Sequence, residues 1–127
     1  MIYTSYYGNW RNFPEDYKLV STSVHNPDGH KYLKAKPLRP PYDLWKAYKY
    51  ENLSWEDYTT WYTREVLDKL SPDKIAKKLD GSILLCFCHA KSNCHRHLLR
   101  EWMIKHGINV QELKYKGMKN EEISQEN

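Results

Sequence analysis

Ile83-Leu84-Leu85-Cys86-Phe87-Cys88-His89-Ala90-Lys91-Ser92-Asn93-Cys94-His95-Arg96 holds all three cysteines of this 127-residue chain and two of its six histidines. The run from Ser82 to Phe87 leaves a turn at Gly81 and is compact and apolar, the pattern of a strand buried on both faces. A polar loop follows. Cys94-His95-Arg96 then opens a helix whose inward face carries Leu98, Leu99, Trp102 and Met103, and which Gly107 stops. Residues 108–113 close as a strand. Strand, loop, helix, strand is a βαβ unit, and such a unit implies a right-handed crossover over a parallel sheet.

Working outward, residues 1–7 and 17–24 read as strands, rich in β-branched and aromatic residues and separated by a loop. The stretch from His25 to Trp45 is long and turn-rich, with Pro27, Gly29, Pro37, Pro40 and Pro41, and the pattern predicts no element in it. Residues 53–70 form the clearest helix. Ser54 and Asp57 resemble a capping box, and Trp55, Tyr58, Tyr62, Val66 and Leu70 trace one face. Ser71-Pro72 starts a short helix that ends before Gly81. The predicted fold is a single α/β domain over residues 1–113, a small and mostly parallel sheet flanked by helices in a Rossmann-like three-layer sandwich. Residues 114–127 are expected to be a polar, flexible tail.

No apolar run approaches the roughly 18–20 residues that a bilayer span needs, so no membrane role is expected. The first residues lack the basic start and apolar stretch of a secretion signal, which points to the cytoplasm. There thiols stay reduced, and three cysteines cannot all pair with one another. The net charge of +4 favours anionic ligands. Lysine and arginine are interspersed with acids, however, and no dense basic stripe suits extended duplex binding. Eleven tyrosines and five tryptophans stand against two phenylalanines, which supplies rings for a core and for stacking on a base alike.

Ligands of open parallel sheets bind beyond the carboxyl ends of the strands, where the loop from Cys88 to Asn93 lies. A helix start offers unpaired N–H groups and partial positive charge, which lowers a cysteine's pKa and attracts anions. On this reading Cys94 is a thiolate nucleophile, His95 or His89 its acid or base, and Arg96 an anion clamp, with Cys88 and Lys91 beside them. The first strand delivers Tyr6, Asn9, Trp10 and Arg11 to the same edge, and the second delivers Ser23 and His25. A metal reading draws on Cys88, His89, Cys94 and His95 as soft ligands for zinc, although their spacing matches no standard finger. The Cys-x5-Arg spacing of a phosphatase loop is absent. Cys86 alone reads as a small core residue, and the Pro-rich segment 37–41 as an extended wall of the cleft.

The pattern Leu84-Leu85-Cys86, then Cys94-His95-Arg96-His97-Leu98 and Glu101-Trp102, resembles the signature of domain-of-unknown-function family 488. Leu53-Ser54-Trp55-Glu56-Asp57-Tyr58 with Tyr62, and residues 107–113, resemble its helix and closing strand. The resemblance implies an α/β fold, a site at the Cys-His-Arg segment and a link to nucleotides or nucleic acid. It also implies a glutamate where this chain has Cys88, a departure that bears on activity or creates a two-cysteine arrangement with Cys94. The expectation is therefore a domain that binds a small anionic, nucleotide-like ligand at Cys94-His95-Arg96 and acts as a thiolate-dependent enzyme. The alternatives are a non-catalytic nucleotide-binding or sequestering module and a zinc-stabilised domain associated with nucleic acid.

Overall fold

The computed structural model describes residues 1–27, 32–89 and 92–115. Among the described residues, five strands, β1 (Ile2–Tyr6), β2 (Lys18–Ser21), β3 (Leu33–Lys34), β4 (Ser82–Cys86) and β5 (Val110–Glu112), form one sheet in the order β3-β2-β4-β1-β5. Every pairing is parallel. β4 lies at the centre and all of its residues are buried, as an apolar run without polar alternation requires. The crossover from β4 to β5 passes over β1, which pairs with both.

The described residues add the helices α1 (Tyr42–Tyr50), α2 (Trp55–Glu65), α3 (Pro72–Leu79) and α4 (His95–Lys105). The α2 start follows its sequence signal, since Ser54 Oγ accepts the Asp57 backbone N–H at 3.0 Å. α2 ends earlier than its apolar face suggests, because Val66 departs from helical geometry and a 3-10 turn follows over Leu67–Lys69. α1 begins inside the stretch from which the pattern predicts no element and runs beyond it to Tyr50. Pro41 precedes its first turn and Asp43 sits within it, so its start signals were present but masked by the neighbouring prolines.

Strand alternation sorts the core into two faces. Ile2, Val20, Leu84 and Val110 meet Leu44 of α1, Tyr58 and Tyr62 of α2, Leu79 of α3, and Leu99 and Met103 of α4. Tyr7, Ile83 and Leu85 lie on the opposite face with Tyr3, Phe13, Tyr17, Leu19 and Tyr32. A 3-10 turn over Tyr7–Asn12 and these rings form that third layer, which is thinner than the helical one. The architecture is the expected small α/β sandwich with an all-parallel sheet flanked by helices. Among the described residues, no helix is long and apolar enough to cross a membrane.

A buried bond from Tyr62 Oη to the Leu38 carbonyl at 2.6 Å ties the helical layer to the long connection. Tyr62→Phe leaves that carbonyl buried without its donor. The substitution is expected to lower unfolding free energy by about 1–3 kcal/mol in urea titrations.

Candidate functional site

Period two along β4 puts Cys86 on the same face as Leu84, towards the helices, at the carboxyl end of the central strand. The chain then turns through Phe87, Cys88 and His89 and re-enters at Cys94, which caps α4 in extended geometry without a side-chain cap bond. Cys86 and Cys94 are buried and Cys88 is half-buried; none is in a disulfide. Their three Sγ atoms lie within 4.8 Å of one another, a cluster of soft donors able to hold a metal ion. Cys86 and Cys94 lie Sγ to Sγ at 2.8 Å.

Arg96 lies beneath this cluster and is fully buried. Its Nη1 donates to Cys86 Sγ and to the Cys88 carbonyl, each at 2.8 Å. Nε and Nη2 donate to the two carboxylate oxygens of Glu112 at 3.1 and 3.0 Å. Glu112 also accepts from Thr4 Oγ1 at 2.6 Å and meets Arg100 at 3.4 Å. The guanidinium is thus spent on protein groups. In place of an open anion clamp, it fixes the loop that carries Cys88 and sets positive charge behind the sulfurs.

His95 is buried against α2 and β2. Thr22 Oγ1 donates to the Leu85 carbonyl at 3.0 Å, so it accepts from His95 Nε2 at 3.0 Å. The hydrogen-bond pattern therefore assigns the proton to Nε2. Nδ1 is left with its lone pair facing Cys94 Sγ at 3.7 Å. Burial, opposed in part by the nearby Cys88 thiolate, pulls the His95 pKa down to about 4.

The thiols divide one negative charge unequally. Hydrogen bonds from Cys86 and then Cys94 hold the Cys88 pKa far below that of a free thiol. The same bonds, made as donors, push the Cys94 thiol well up, and burial adds to this. Burial first of all raises Cys86 to about 11. The expected fall at Cys94 is thus reversed: two neighbouring sulfurs and desolvation outweigh the helix start, and the thiolate forms at the more accessible Cys88.

A cavity of about 620 Å³ opens over this cluster, a size usual for small-molecule sites. Cys86, Cys88, Cys94 and His95 line its floor, with Ser23 and His25 from the end of β2. Its walls are Trp45 and Tyr48 of α1 and Trp55 and Tyr58 of α2. Trp55 and Tyr58 stack at 5.0 Å with 16° between planes, and Tyr48 sits 4.9 Å from Tyr58. Lys49 Nζ lies 5.0 Å from the Trp45 ring centre at the same cavity. None of these walls was singled out as a site residue from sequence. Two belong to α1, whose start the pattern does not reveal, and two lie on the apolar face of α2, whose sequence does not show what that face meets.

The remaining sequence candidates lie elsewhere. Tyr6 and His89 pack ring to ring at 5.0 Å and share Tyr115 as a neighbour, outside the cavity lining. Asn9 is buried and holds its own turn, bonding Ser5 Oγ and the Lys114 carbonyl, each at 3.0 Å. Trp10 is exposed, with Arg11 stacked 4.4 Å over its ring. Lys91 falls outside the described residues, as do residues 116–127 of the expected tail, whereas Lys114 and Tyr115 pack against the domain.

A family model described as "DUF488-N3a: Active DUF488-N3 subclade" matches residues 5–107. The chain belongs to the DUF488 family. The matched span carries the cavity walls, the three cysteines, His95 and Arg96, and it ends before Glu112. No curated protein and no solved structure matches the chain. The family membership fits the fold and the Cys-His-Arg segment as read from sequence. At the position where the resemblance implies glutamate, this DUF488 member presents a third sulfur to the other two.

Iodoacetamide at neutral pH should label Cys88 first, and peptide mass spectrometry should find Cys86 and Cys94 protected until unfolding. Glu112→Gln strips the buried guanidinium of its countercharge and is expected to cost about 3–5 kcal/mol of stability in urea titrations. The His95 pKa is lower folded than unfolded, so its neutral ring stabilises fully above pH 6.5 and loses that effect as pH falls through about 4. With chelator present, His95→Asn should flatten up to about 3 kcal/mol of this acid-side decline in stability.

Proposed function

We propose that this protein binds an anionic, nucleotide-like ligand with its ring in the aromatic cavity, and acts on it through a cysteine thiolate. The observation that carries the reading is the convergence of three sulfurs and an uncharged histidine at the floor of a cavity walled by Trp45, Tyr48, Trp55 and Tyr58. Aromatic walls accept any base through its π-face, and stacking contributes about 1–3 kcal/mol per base. Ser23 and His25 supply polar edges at the same floor. A cytoplasmic setting, where the thiols stay reduced, belongs to the same reading.

In this mechanism the Cys88 sulfur gives its electron pair to an electrophilic carbon of the ligand. The departing group leaves with the pair of the broken bond and takes the Cys94 proton. Water then attacks the carbon held on Cys88, which frees the sulfur as thiolate and returns a proton to Cys94. The His95 ring, held by Thr22, packs against Cys94 Sγ at 3.7 Å and positions that sulfur. Arg96 is a positioning residue here, since it acts through Cys86, the Cys88 carbonyl and Glu112. The word "Active" in the subclade description is in keeping with an enzyme.

A second reading rests on the sulfur cluster alone. Cys86, Cys88 and Cys94 would hold zinc, with Arg96 balancing the negative charge of three thiolates.

Tryptophan fluorescence separates the two. Nucleoside monophosphates should quench the wild type, and Trp45→Ala should weaken their binding at least tenfold. Cys88→Ser should keep binding but lose any turnover and any covalent adduct seen by intact mass. A zinc-sized excess in native mass spectra, lost on denaturation and in Cys88→Ser, would instead establish the metal reading and overturn the free-thiolate mechanism.

A further inference from the structure

Beside the aromatic cavity lies a second one of about 590 Å³, and Val24 and Pro40 line both. It is bounded by the 3-10 turn over Lys36–Leu38, the prolines that follow, and the end of α2. Three cations, Lys36, Arg39 and Lys69, contribute to its lining against one carboxylate, Glu65. That carboxylate is shared between Lys69 Nζ at 3.3 Å and Arg64 Nε at 3.6 Å, which leaves positive charge in excess at the cavity. Arg39 Nε is buried and has no hydrogen-bond partner among the described residues. A guanidinium N–H withdrawn from water without an acceptor is unfavourable, and an acceptor brought by a ligand relieves it. Ring surface also runs from one cavity into the other. Tyr42 lines the cationic cavity, is 57% exposed, and its ring lies 5.5 Å from Trp45 of the aromatic one.

We infer that the cationic cavity is the phosphate subsite for a ligand whose ring occupies the aromatic cavity, which makes the substrate class a nucleotide and not a free base or nucleoside. This rests on the reading of the aromatic cavity given above. It moves the anion site away from the α4 start, where Arg96 is committed to Glu112. Arg39 grips the phosphate by its guanidinium fork, while Lys36 and Lys69 balance the second charge from the rim. The phosphate belongs either to a mononucleotide or to a phosphodiester in a single strand. Tyr42 serves the second case, because it offers a neighbouring base a ring of its own.

Fluorescence titration with the common nucleosides, their 5′-monophosphates and a short single-stranded oligonucleotide tests this. Arg39→Gln and the exposed pair Lys36→Gln with Lys69→Gln are compared with wild type, each after a thermal melt confirms folding. The expected result is that phosphate strengthens binding about tenfold over the nucleoside, and that either variant removes this gain while nucleoside binding is unchanged. A gain already present with the monophosphate assigns the mononucleotide, and one that appears only with the oligonucleotide assigns the strand. Nucleoside binding without any gain from phosphate, or a gain that survives in both variants, overturns the phosphate subsite and leaves the aromatic cavity standing. If no nucleoside or nucleotide binds the wild type, the aromatic-cavity reading itself is wrong and this inference goes with it.

Discussion

The buried ion pair between Arg96 and Glu112 is the constraint on which the site depends. A fully buried guanidinium demands a countercharge, and Glu112 supplies it in a two-point contact from the last strand. Through that contact α4, β5 and, by way of Thr4, β1 are fixed to one another. The guanidinium's remaining nitrogen is then free to hold Cys86 and the Cys88 carbonyl. The position of the three sulfurs is therefore a by-product of charge neutralisation. Burial pushes the Glu112 pKa up, although Arg96 pulls against it.

Chemistry at the sulfurs follows from unequal access to water. Each sulfur competes for the same negative charge, and the loop position of Cys88 exposes it where β4 and α4 bury the other two. A thiolate with two S–H donors beside it and a cation behind it is stabilised without being sealed off. The aromatic walls then decide what reaches it. They come from two helices, α1 and α2, that pack on each other through Tyr48, Trp55 and Tyr58.

Much of this was legible in the chain. The βαβ unit, the α2 cap and the importance of the segment from Cys86 to Arg96 follow from local pattern, because apolar period and capping residues act over a few positions. What was not legible depends on convergence. Glu112 sits two residues after Val110 in a short strand, and by pattern alone a charge there reads as facing solvent. Only the sheet order brings it to Arg96. The helix start argued for a low pKa at Cys94, but that argument ignores neighbouring sulfurs that arrive from β4 and its loop. α1 was lost to the prolines beside it, and with it two of the four cavity walls.

The sheet order also governs how this chain can come to be folded. The strand nearest the amino end, β1, pairs with β4 and β5, so Tyr3 finds Ile83 and Ile2 finds Val110. Neither pairing is within reach until the chain has been synthesised past Ile83 and Val110, and such long-range closure is slow. Until then β1, with its aromatic and β-branched residues, has no edge to join. Until the later strands arrive, β1 depends on not meeting a strand of another chain first.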